Sequence, residues 1–221
     1  MNGAAGGFPL DLVLFALIAV FLILRLRSVL GRRTGFERVA APPDRPVPPG
    51  SAGPVIEGHA EAAPSRPLPD PATPLGRELA RIQAVDRDFD PARFLTGAEG
   101  AFRLIVGAFA AGNRVALRPL LTDEIYRSFE QVIAAREEAG ETQRSEIKAI
   151  LSATIEDASL RGSLAAIVVR FVSDQVAVTL DREGKPHTGT DAVTEMVDVW
   201  TFDRDLTHAG PNWRLAAARS G

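Results

Sequence analysis

The chain has 221 residues, no cysteine, three histidines and a formal net charge of -3. Its length admits one or two domains with a single sizeable core, and the missing thiols exclude disulfides, thiolate metal sites and a cysteine nucleophile. Charge is unevenly placed: residues 1–40 hold five arginines against Asp11 and Glu37, whereas residues 77–221 carry 18 basic and 22 acidic side chains, a balance that argues against nucleic acid as a partner of the main domain.

In chain order the first informative segment is Leu12–Leu24, LVLFALIAVFLIL, 13 residues without a polar side chain, and back to Ala4 the only charge is Asp11. About 20 apolar residues at ~1.5 Å rise cross a bilayer core, so the segment spans if it starts near Ala4 and its ends snorkel. A cleavable signal peptide carries its positive charge in front of the apolar run. Here Arg25, Arg27, Arg32, Arg33 and Arg38 all follow it, and no small-x-small cleavage site followed by a mature domain is apparent. The expectation is an uncleaved single-pass anchor over residues 1–30, with the N-terminus outside and the C-terminal side cytoplasmic by the positive-inside rule. Arg25, Arg27, Arg32 and Arg33 form the membrane-flanking basic group, each worth about 1 kcal/mol against anionic headgroups.

Residues 31–74 begin basic and turn proline-rich: residues 42–74 contain eleven of the sixteen prolines. With few apolar side chains to bury and no proline able to join a helix or sheet interior, the segment is expected to be an extended, disordered tether. The stretch from Pro43 to Pro46 has the spacing of a PxxP ligand but lacks repeated basic anchors, so the tether reading is preferred.

Residues 75–221 read as one domain, helices first and strands afterwards. Thr73 and Pro74 cap a helix through about Arg87, and Asp90 with Pro91 opens a longer one. On that second helix Phe94, Ala98, Phe102, Ile105 and Phe109 recur at helical spacing, and Gly112 ends it. A short helix at Asn113–Leu117 stops at Pro119. Thr122, Asp123 and Glu124 then open a helix whose apolar face is Ile125, Phe129, Val132 and Ile133, before Gly140. After Arg144 the period changes to two: Ile147, Ala149, Leu151, Ala153 and Ile155 alternate with polar residues, as in a half-buried strand. Arg161–Ser163 reads as a turn, Leu164–Leu180 as a long β-branched strand and Asp181–Asp191 as a loop. Val193–Phe202 and Trp213–Ala217 supply two more strands, separated by a turn region at 203–212. The fold class is therefore α+β, helices packed on one face of a curved antiparallel sheet.

Motifs of catalysis are few. The histidines His59, His187 and His208 fall in the tether and in two loops without ligand spacing, so no metal site is expected. The chain has no GxxxxGK[ST], HExxH or GxSxG, and no GxGxxG after a strand. Glu156, Glu195 and Asp198, within strand patterns, are the only general acid/base candidates; on a sheet with one open face such groups point to water or pair with Arg170 or Arg214. No cofactor is expected. The stronger site expectation is apolar: Phe109 and Phe129 on helix faces, with Phe171, Trp200, Phe202 and Trp213 on late strands, can line a cavity under the curved sheet, although each taken singly is explained by plain core packing.

Several segments in fixed order carry a family resemblance: the anchor ending in LRLRSVLGRRTG, then AFAAGNRVALRPLLTDEIYRSF, VVRFVSD, VDVWTFDRD and a final PNWRL. Together they resemble the Tim-forty-four-like family, in particular its membrane-anchored alphaproteobacterial members. The resemblance implies a cone-like fold similar to nuclear transport factor two and a noncatalytic adaptor at the bacterial inner membrane. Its partners would then be proteins, and membrane lipids through the anchor; a pocket for a lipid tail or a partner's hydrophobic side chain fits that role. The mitochondrial relatives tether an import-motor chaperone; only the adaptor idea carries over, because their long chaperone-binding N-terminal region is replaced here by the transmembrane segment. The competing class is a membrane-tethered small-molecule-binding domain or isomerase-like enzyme on the same fold. Oligomeric state is open.

Overall fold

The structure, a computed structural model, describes residues 66–208 and 213–221. The expected anchor and most of the tether, with Arg25, Arg27, Arg32 and Arg33, lie outside the described residues. Among the described residues no helix is long and apolar enough to cross a membrane.

Among the described residues four helices come first. Helix α1, Pro74–Val85, is capped by Thr73, whose hydroxyl accepts from the Gly76 N–H at 3.0 Å. Helix α2, Pro91–Ala110, is capped by Asp90, which accepts from the Arg93 N–H at 2.7 Å. In both, proline occupies the first turn, where its missing N–H costs nothing. Helix α3, Arg114–Leu117, follows Asn113, and helix α4, Asp123–Ala139, has Asp123 and Glu124 against the positive end of its dipole. Helix α4 stops at Gly140, whose φ of 68° only glycine adopts cheaply.

Four antiparallel strands in the order β1-β2-β3-β4 follow: β1 Thr142–Arg161, β2 Leu164–Leu180, β3 Pro186–Asp205 and β4 Arg214–Ser220. Two expectations need correction. The simple alternation read across β1 fails, because the register against β2 shifts between Ile147 and Ala149, Ile150 and Ser152, and Ile155 and Asp157. Each bulge adds a residue and exchanges the faces behind it. Ile150, Ala153, Ile155 and Ala158 therefore point inward, while Leu151, expected inside, is 41% exposed. The loop expected at Asp181–Asp191 is shorter, since β3 already begins at Pro186 and pairs Thr188, Gly189 and Thr190 with the end of β2. Gly189 allows this: it sits at φ 80°, and a Cβ there would come within 2.2 Å of the Ala177 carbonyl oxygen.

Helices α1 and α2 cover the inner face of the sheet, chiefly along β1. Ile82, Leu95, Phe102 and Ile105 from the helices are fully buried, as are Ala165, Ile167, Val169 and Phe171 from β2 and Phe202 from β3. Burying each large apolar side chain contributes roughly 1.5–3 kcal/mol. The centre is aromatic: Phe102 stacks on Phe171 at 4.4 Å between ring centroids and meets Trp200 edge-on at 4.7 Å. An ion pair fastens β3 to the end of α1, Arg204 Nη1 donating to Asp86 Oδ2 at 2.6 Å.

Candidate functional site

Along the inner face of β2 the character changes at residue 173. Up to Phe171 the inward residues are apolar, and then come Ser173 and Gln175, both buried. Asp198 lies opposite Phe171 in the β2–β3 register, so its carboxylate shares that inner face; it is 3% exposed. Gln175 Nε2 donates to Ser173 Oγ and to Asp198 Oδ2, both at 2.8 Å. This correction separates the three carboxylate candidates. Glu156 and Glu195 are exposed, Glu156 facing Arg170 at 3.7 Å as expected, whereas Asp198 is withdrawn from water behind Gln175.

Beyond Gln175 the sheet and helices diverge around a cavity of about 340 Å³, here termed the mouth. Phe109 at the end of α2 and Val132, Ala135 and Arg136 on α4 form one wall; Gln143 on β1, Gln175 and Val178 on β2, and His187, Thr194 and Met196 on β3 form the other. Arg136 is 9% exposed. Its Nη2 donates to the carbonyls of Phe109 at 2.8 Å and Ala110 at 3.2 Å, and its Nη1 donates to Gln143 Oε1. The guanidinium thus caps the C-terminal carbonyls of α2 and meets their partial negative charge. Burial lowers its pKa, against a counter-pull from Glu137 and Glu141. Glu141 lines the mouth as well and stands 3.8 Å from His187 Nε2.

A second concavity, about 620 Å³, runs outside α2. Phe89, Phe94 and Trp213 wall it, with Phe94 and Trp213 4.9 Å apart and Phe89 and Trp213 5.9 Å apart. Gly97, Gly100, Ala101 and Leu104 border it along the helix. Side chains at Gly97 or Gly100 would meet open space, and Leu104 is 56% exposed. Arg204, clamped to Asp86, also borders it, and among the described residues its Nε has no hydrogen-bond partner.

The six aromatics expected to share one pocket are divided among three places. Phe171 and Trp200 are core and line neither concavity. Phe202 is also core but reaches the α2 groove, where Trp213 sits. Phe109 forms part of the mouth and packs on Phe129 at 4.7 Å. Sequence reasoning missed Arg136, Gln143, Gln175 and Phe89 as lining groups. For Arg136 a signal existed: it falls three and four residues after Ile133 and Val132, placing a charge on the apolar stripe of α4. Of the histidines, His187 stands at the mouth, His208 is exposed beside Asp205, and His59 lies outside the described residues. Among the described residues no three His, Asp or Glu side chains converge as metal ligands would.

With the geometry in place, comparison with known proteins adds the following. The model of the Tim44-like domain matches residues 75–220, about two thirds of the chain. The solved intermembrane space region of the chloroplast protein ARC6 is similar at a TM-score of 0.41 and 11% identity, covering 57% of this chain and 95% of that one. A protein described as a dehydratase of the NTF2-like family, from Streptomyces avermitilis, gives 0.32 and 14%, covering 59% and 96%. A conserved protein from Planctomyces limnophilus gives 0.29 and 18%, covering 55% and 90%. No curated protein matches the chain.

Proposed function

The chain belongs to the Tim44-like domain family, and from that premise we propose that it is a noncatalytic adaptor, held at the bacterial inner membrane by residues 1–30, that positions partner proteins on the cytoplasmic face. The observation that carries this reading is the groove outside α2, where Phe89, Phe94 and Trp213 form an apolar wall and Leu104 projects into solvent. Aromatic walls beside an open helix face suit the hydrophobic anchor of a partner, and an exposed large aliphatic at the rim has no role in the core. The tether adds to this, since confinement near the membrane raises the effective concentration of a weakly binding surface.

The test is partner capture from membranes by the full chain. Gly100→Trp fills the groove without touching the core, and Leu104→Glu places a charge on its rim; each should reduce cross-linked partner at least fivefold while Glu156→Ala and Glu195→Ala leave it unchanged. Undiminished capture by both groove variants would overturn the assignment. The competing reading, a tethered small-molecule-binding domain or isomerase-like enzyme, draws on the mouth and the buried Asp198 behind it; it requires a turnover that Asp198→Asn abolishes in a folded protein.

A further inference from the structure

A carboxylate on a buried helix face needs a cation beside it, and the one that serves Glu99 of α2 comes from the N-terminal side of the domain. Glu99 is 7% exposed. Arg66, the first described residue, donates from Nε to Glu99 Oε1 at 2.5 Å and from Nη2 to Oε2 at 2.6 Å, the two-pronged grip that planar guanidinium and carboxylate groups favour. The chain thus enters the domain pinned to the same helix whose Gly97 and Leu104 border the outer groove. At 3.6 residues per turn, Gly97 lies about 160° round the helix from Glu99. The pin is on one side of α2 and the groove on the other.

What precedes the pin is nearly free of large apolar side chains. Across residues 42–65 these are Val47, Val55 and Ile56, and only Val55 and Ile56 are adjacent. Ile56 stands ten residues before Arg66. A leash of that length has a root-mean-square span of about 17 Å, comparable with the way round a helix of about 10–12 Å diameter. Effective concentration is largest where leash and span match, which favours this pair over the more distant Val47. The groove has the complementary character: Phe89, Phe94 and Trp213 form its wall, Leu104 is exposed at its rim, and the space above Gly97 is open.

We propose that Val55 and Ile56 of the same chain occupy the α2 groove, the segment passing round α2 from its pin at Arg66 and covering the surface that partners use. A partner then binds only by displacing an intramolecular competitor, which sets a threshold on capture. The inference rests on the adaptor reading for the purpose of the groove, and adds the segment that regulates it.

Disulfide trapping in the full chain tests this, because the protein has no cysteine of its own. Ile56→Cys is paired either with Gly97→Cys in the groove or with Arg103→Cys, an exposed position one turn beyond Glu99 on the side of the pin. An undocked segment reaches position 103 first; a docked one reaches position 97. With each rate scaled to the thiol's own reactivity toward a small aromatic disulfide, the Gly97→Cys pair should close at least about fivefold faster than the Arg103→Cys pair. Val55→Ser should bring that ratio to about one or below, and Arg66→Ala should slow the groove cross-link at least about threefold by lengthening the leash. Equal or inverted closure rates, or a groove cross-link that neither variant slows, would overturn the proposal. So would disulfide-linked dimers in place of the internal bond at low protein concentration, which would assign the groove to a second copy of the chain. No partner protein enters this experiment, so its failure is distinct from that of the adaptor reading, which stands or falls on capture by the Gly100→Trp and Leu104→Glu variants.

Discussion

The two halves of the inner sheet face are built from the same two strands and teach opposite lessons. From Ala165 to Phe171, opposite Trp200 and Phe202, the face is dry and aromatic, closed by α1 and α2. From Ser173 onward it carries Gln175 and Thr194, with Asp198 at the boundary opposite Phe171, the register slips between Gln175 and Ala177, and the helices no longer close over it. Dispersion and apolar burial are concentrated in the first half, whereas buried polar groups in the second half require specific partners and leave room for a ligand. Stability and recognition are thereby separated along a single strand.

The sharpest way to break this contrast is Phe171→Ala. It removes the ring that stacks on Phe102 and should cost about 3–5 kcal/mol in denaturant unfolding. A stability loss below about 1 kcal/mol would mean that the dry half does not dominate the fold. Next in size is Gln175→Leu in the polar half, which takes one hydrogen bond each from Ser173 and Asp198 and should cost about 1–3 kcal/mol. A neutral result there would show that the network contributes little to stability.

A smaller effect should appear at the dry end. Asp205 is held at about 2, below its ordinary value, by the Thr207 backbone N–H first, then by the Thr207 and Ser163 hydroxyls. A carboxyl whose folded pKa is depressed stabilises above its unfolded pKa, near 3.8, and that contribution fades as pH falls through about 2. Asp205→Asn should therefore lower Tm at pH 7 and progressively less between about pH 4 and pH 2; a pH-independent difference would contradict the assignment. Smallest of all is Leu151→Lys, which should change stability by less than about 0.5 kcal/mol because the bulges turn residue 151 outward. A loss of several kcal/mol would restore the uninterrupted alternation and undo the observed register.

Much of the fold was legible because its signals are local. Thr73–Pro74 and Asp90–Pro91 announce two helices through caps that depend only on neighbours in sequence, and Leu164–Leu180 reads as a strand from its β-branched run. What failed depends on partners distant in the chain. The bulges of β1 are defined only against β2, and the extension of β3 to Pro186 only by the close approach of Gly189 to Ala177. The site was less legible for the same reason. Aromatic residues stand out in the sequence, but whether Phe171 lines a cavity or fills a core is decided by Phe102, 69 positions earlier. Arg136 was overlooked because a charge within an apolar stripe reads as a helix defect until the carbonyls at the end of α2 are seen beside it.

The brevity of β4 has a consequence for how these molecules behave toward one another. It pairs with β3 only from Asp198 to Asp203, and the Gly221 N–H adds one bond to Val197, so no described strand pairs with the outer edge of β3 before that point. Bare edges invite identical chains to add on in register, one sheet extending into the next. Exposed Asp191 and Glu195 interrupt this one, and Glu195 faces Asp174 across the β2–β3 ladder. A like copy pairing there in a register that sets Asp191 or Glu195 against its counterpart would bring carboxylate against carboxylate, a repulsion that opposes that pairing.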